Sequence, residues 1–189
     1  IVDAKGAYPS GLHVLATGDT GRIAVAQHWS LGEQGKWNQR AWDQALIFVG
    51  MAELGGSLLG VRVGAGMNLR RPEIITLLGP KVERTFQPPS KECHAALRAK
   101  EPELPASWLP PAAVVSEAAG ATRKGTLISV GKGCNEGPNL EIWPPNTAKS
   151  SLMSVAGMRE AGGESQIIAG RGEDEAWISN SGRISHFNA

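Results

Sequence analysis

Asn38-Gln39-Arg40-Ala41-Trp42-Asp43-Gln44-Ala45-Leu46-Ile47-Phe48-Val49-Gly50-Met51-Ala52-Glu53-Leu54 is the stretch on which the fold class turns. Ala41, Ala45, Phe48 and Ala52 recur at helical spacing, with Trp42, Leu46 and Val49 beside them. Asn38 can cap such a helix, and Gly55-Gly56 can stop it. The inner run Ala45–Val49 also reads as a buried strand, but the spacing favours a helix over 38–54.

The segments before it read as strands. Residues 12–16 and 22–28 flank Thr17-Gly18-Asp19-Thr20-Gly21, a run dense in turn formers, so a hairpin is expected there. A polar loop, 30–37, follows.

Beyond the deciding stretch, Leu58–Val63 reads as a strand that ends at Gly64-Ala65-Gly66. Residues 72–78 suit a short helix or an apolar strand. Ser90, after Pro88-Pro89, can cap a helix that runs to about Lys100. Pro102, Pro105, Pro110 and Pro111 make 101–113 neither helix nor central strand. That stretch is the best candidate for a sub-boundary within a single domain spanning 1–189.

Strands follow near 126–130 and 140–143. The clearest helical pattern is Thr147–Ala161, where Ala148, Leu152, Val155 and Ala156 share a face. Asn146 can cap this helix and Gly162-Gly163 can end it. Residues 166–169, 176–179 and 183–187 read as strands, the last two forming a hairpin around Asn180-Ser181-Gly182. The order predicts an α+β fold: mainly short antiparallel strands and hairpins, with three or four short helices.

Composition excludes several classes. The chain has 189 residues, 41% hydrophobic and 20% charged, with a net charge of +1. That is ordinary for a globular domain and unlike a disordered, collagenous or coiled-coil chain. No apolar run approaches the roughly 20 residues of a transmembrane segment. No basic excess gives a nucleic-acid signature. The chain opens at Ile1 rather than Met, which reads as a processed N-terminus or a start within a longer protein.

Motifs for catalysis are sparse. Gly64-Ala65-Gly66 lacks the third glycine of a dinucleotide fingerprint, and no Gly-Lys-Ser/Thr follows it. Gly-x-Ser-x-Gly and Cys-x-x-Cys are absent, so no nucleotide cofactor and no metal is expected. Glu173-Asp174-Glu175 reads as a solvated acidic loop rather than a cation site.

Two weak catalytic sets remain. His13, Asp19 and His28 offer imidazole and carboxylate on or between the first two strands. Ser57 could be activated by Lys91 or Lys100 from the following helix. For contacts, Trp37 and Trp42 interleave with Arg40, and Arg70 and Arg71 form a basic pair able to meet an anion.

Cys93 and Cys134 are the only cysteines, and the pattern brings nothing between them, so both are expected to be reduced thiols. The reading that follows is a non-catalytic domain that binds a protein partner or assembles as a homo-oligomer. A viral or secreted structural protein would fit. The alternative is a hydrolase with a site assembled from distant residues.

Overall fold

The computed structural model describes residues 3–6, 12–19, 24–32, 34–42, 46–64, 72–103, 105–106, 109–110, 112–133, 138–154, 165–180 and 183–188. They form fourteen strands and one α-helix. β1 (Asp3–Gly6), β2 (Leu12–Asp19), β3 (Ala24–Leu31) and β4 (Trp37–Trp42) make a four-stranded sheet A in that order. Next come β5 (Leu46–Leu54), β6 (Ser57–Gly64), β7 (Glu73–Leu78), α1 (Lys91–Lys100), β8 (Val114–Ala121), β9 (Leu127–Gly133), β10 (Pro138–Trp143) and β11 (Ser151–Ser154). Their strands form a seven-stranded sheet B, ordered β11-β10-β9-β8-β5-β6-β7. β12 (Ser165–Ala169), β13 (Glu175–Asn180) and β14 (Arg183–Asn188) form a three-stranded sheet C.

The expected α+β class with three or four short helices is therefore corrected. The protein is mostly β-sheet, with a single helix among the described residues. The stretch 38–54 supplies β4 and β5 instead of a helix. β5 buries Phe48 and Met51 toward one side of sheet B and Ala52 and Leu54 toward the other. A strand covered on both faces loses its two-residue alternation, and its apolar residues then fall at helical spacing by coincidence.

The expected helix over 147–161 fails for a local reason. Asn146 takes φ 59° after Pro144-Pro145, a turn conformation and not a cap. The chain then returns as β11, antiparallel to β10. Residues 155–161 of that expected helix lie outside the described residues.

Sheet B is two antiparallel runs joined by one parallel contact, β5 with β8 at Gly50 and Ala119. A Cβ at position 50 would sit 2.1 Å from the Ala119 carbonyl oxygen, so this join requires glycine. Gly120 plays the same part toward sheet C, since a Cβ there would lie 2.9 Å from Ile167.

Three apolar clusters order the layers. Leu15 and Ala26 of sheet A meet Phe48, Met51, Leu58 and Leu77 of sheet B. Ile167, Ala176, Ile178 and Phe187 of sheet C meet Ala118, Ile128, Val130, Leu140 and Ile142. The remaining cluster lies on alternate residues of the same sheet B strands, with Leu59, Val61, Leu127 and Trp143 joined by Phe86 and Ala112. Sheets A and C therefore lie side by side on one face of sheet B, and the segment after β7 covers the other. Each fully buried Leu, Ile or Phe contributes about 1.5–3 kcal/mol.

The covering segment is fixed by polar contacts as well. Arg84 Nη1 donates to the Trp143 carbonyl at 3.1 Å, and the Gln87 N–H donates to Glu141 Oε1 at 2.7 Å. Phe86 meets Trp143 edge to face, with ring centroids 5.0 Å apart.

The helix forms where expected. Ser90 Oγ accepts from the Cys93 N–H, Glu92 lies in the first turn, and Arg98 and Lys100 lie in the last, as the helix dipole favours. Cys93 is its one buried residue, and Cys93 is disulfide-bonded. The expectation of two reduced thiols is thereby overturned. The chain's other cysteine, Cys134, lies outside the described residues. Sequence pattern carries no signal for a contact between a helix and a loop about 40 residues apart, which is why the bridge was not legible.

Candidate functional site

Alternation along β2 turns His13 and Leu15 inward, and alternation along β3 does the same for Ala26 and His28. The register pairs His13 with Ser30 and Leu15 with His28, so the histidines are diagonal neighbours across the pair. His13 Nδ1 lies 3.2 Å from His28 Nε2, and the rings stack with centroids 5.4 Å apart. One ring nitrogen donates and the other accepts, which suits a neutral pair. Burial lowers both imidazoles, and His28 is pushed down to about 4 by burial, then by His13 and Arg40. His13 Nε2 is buried without a hydrogen-bond partner.

Asp19 does not join this pair through the backbone. β2 carries it six residues beyond His13, about 20 Å along the strand, opposite Ala24. Its side chain lies outside the described residues.

Beside the histidines, β4 forms one edge of sheet A and places Arg40 opposite His28 and Trp42 opposite Ala26. The Arg40 Cζ lies 4.7 Å from the Trp42 ring centroid. Arg62 of β6 approaches the same indole at 5.5 Å. Trp42 also meets Phe48 edge to face, with centroids 5.4 Å apart.

Arg62 shares its strand face with Leu58, toward sheet A. It is 4% exposed and ion-paired through Nη2 with Glu73. Trp37, at the start of β4, is exposed. Arg70 and Arg71 lie outside the described residues.

Ser57 is fully buried at the start of β6, and its hydroxyl donates to the Pro80 carbonyl at 2.6 Å. It borders a cleft of about 530 Å³ that Lys124 also lines. Lys124 is paired with Asp174 Oδ2 at 3.3 Å. Lys91 is exposed in the first turn of α1.

The acidic run 173–175 is not simply solvated. Asp174 Oδ1 accepts from Thr122 and Thr126 hydroxyls at 2.9 and 2.6 Å, which ties the β8–β9 turn to the turn before β13. Burial pushes the Asp174 carboxyl up, but the two hydroxyls and Lys124 outweigh it and hold it below its ordinary value. Glu175 accepts from the Gly172 N–H at 2.7 Å and contacts His186 at 2.6 Å.

Sequence reasoning brought His13, His28, Arg40 and Trp42 forward and missed Arg62 and Glu141. Each of the missed pair is the one charge in an otherwise apolar strand segment, Leu58–Val63 and Leu140–Trp143. That is a usable signal for a buried charge with a specific partner. None of the family models, curated proteins or solved structures compared with the chain matches it.

Proposed function

We propose that the chain is a non-catalytic structural domain that assembles with a second copy of itself through the outer face of sheet C. One observation carries this reading. Ile168, Trp177 and Ile184 are 61%, 45% and 72% exposed on that face. Register sets Ile168 beside Trp177 and Trp177 beside His186, with Ile184 two residues along the same side.

Contiguous apolar surface of this kind marks a contact face more often than bare solvent surface. Glu175 and His186 on the face are engaged with each other at 2.6 Å. Two such faces related by a two-fold axis therefore meet without strong like-charge repulsion. The disulfide at Cys93 suits an oxidising compartment, so a secreted or surface-exposed setting is part of the proposal. No helix among the described residues is long and apolar enough to cross a membrane.

Sedimentation velocity over a concentration series tests the assembly. Wild-type protein is expected to move from monomer to dimer in the micromolar range. Ile184→Lys is expected to remain monomeric with an unchanged far-ultraviolet spectrum. A wild type that stays monomeric up to about 100 μM, well above the Kd expected for a standard-size interface, would sink the reading.

A further inference from the structure

Arg62 has more unmet hydrogen-bonding capacity than any other side chain among the described residues. Its Nε and Nη1 are both buried without a hydrogen-bond partner, and only Nη2 is engaged, by Glu73. A guanidinium carries five N–H donors in a flat fork and does not shed its charge. Donors buried unpaired are costly, and an unmet group in a folded protein points to an acceptor supplied from elsewhere.

The surroundings say what kind of acceptor. A second guanidinium, Arg40, lies over the same indole, so the two Cζ atoms are at most about 10 Å apart. Arg40 is exposed and makes no ion pair among the described residues. Glu73 is the one carboxylate seen to pair with the cluster, against two arginines. The histidines next to it are held neutral by burial, so the group retains net positive charge. His13 Nε2, also buried and unpartnered, belongs to the same side of sheet A.

We propose that Arg62 and Arg40, both stacked on Trp42 where sheets A and B meet, form a receptor for an oxyanion, the carboxylate or phosphate group of a ligand. Planar, multi-oxygen anions match the guanidinium fork. Half-buried Trp42 and exposed Arg40 come from the edge strand β4 and form the cover over Arg62. The anion enters from that edge, and the Trp42 side chain shifts to admit it. This site is on a different sheet from the proposed assembly face, and the two readings stand or fall separately.

Thermal unfolding at pH 7.5 and matched ionic strength, in sodium chloride, inorganic phosphate and sodium acetate, tests it. Phosphate or acetate is expected to raise Tm saturably above the chloride value, as a ligand of the native state must. Arg40→Gln, on an exposed side chain, is expected to weaken the apparent Kd about tenfold while keeping the fold. Arg62→Met is expected to abolish the response, and Trp42→Phe to remove the accompanying change in indole emission.

A rise in phosphate alone assigns a phosphate group, a rise in acetate alone assigns a carboxylate, and a rise in both assigns a site that accepts either. Identical curves in all three salts, or an unchanged Kd in Arg40→Gln, overturn the proposal.

Discussion

Under denaturing, non-reducing conditions no free thiol is expected to titrate, and the intact chain is expected to weigh two hydrogens less than its sequence. Reduction, or Cys93→Ser, is then expected to lower stability by about 4 kcal/mol and Tm by roughly 10 °C. The argument begins at α1. Cys93 is the one buried residue of that helix, so little apolar area docks it against the rest of the molecule. His94 Nε2 also lies 3.1 Å from the Pro110 carbonyl.

With Cys134 as the chain's other cysteine, an intrachain bridge closes a loop of about 40 residues, and the loop-closure entropy removed from the unfolded chain sets the magnitude. Calorimetry with and without reductant measures it. Two titratable thiols in the untreated protein would falsify the bridge, and a Tm unmoved by reductant would show that α1 is held by something else.

Acid is expected to weaken the fold as pH falls from 6.5 toward 4. His28 takes up its proton near pH 4 in the native state but near its ordinary 6.5 when unfolded. Between those values the unfolded chain holds more protons, so stability falls as pH falls. The contribution is complete above pH 6.5 and is lost progressively toward pH 4, by about 3 kcal/mol at one pKa unit per 1.4 kcal/mol. His13, lowered by the same burial, acts in the same direction.

Asp174 and Glu175 are held below their ordinary carboxyl values, so their losses come at lower pH. Urea unfolding at pH 7.5, 6.5, 5.5 and 4.5 reads the slope. His28→Gln is expected to flatten it between pH 6.5 and 4.5. A wild-type midpoint unchanged across that window would exclude a buried neutral pair.

Legibility of the fold followed locality. The antiparallel pairing of β2 with β3, the strand Leu58–Val63 and the capped helix at Ser90 were readable because each is decided by neighbours within a few residues, although Thr17–Asp19, expected in the turn, extend β2 instead. β5 was not, because Phe48 and Met51 answer to sheet A while Ala52 and Leu54 answer to Phe86 and Trp143. Burial on two sides erases the period that distinguishes strand from helix.

The candidate site divides along the same line. His13 and His28 were visible as residues of interest, and the hairpin register that joins them is local. Arg62 reaches Trp42 only because sheet B folds under sheet A, and a contact between sheets leaves no periodic trace. Asp174 is similar: its acidic run was plain, but the hydroxyls of Thr122 and Thr126 lie about 50 residues away in sequence.

The side-by-side seating of sheets A and C on one face of sheet B has a consequence for how the molecule loosens. Lifting either outer sheet uncovers only part of one face of the middle one. β6 and β9 stay pressed against Phe86, Ala112 and Trp143 on the other side. Their amide hydrogens therefore exchange with solvent last, those of the edge strands β4 and β14 first, and the protein opens leaf by leaf and not as a single unit.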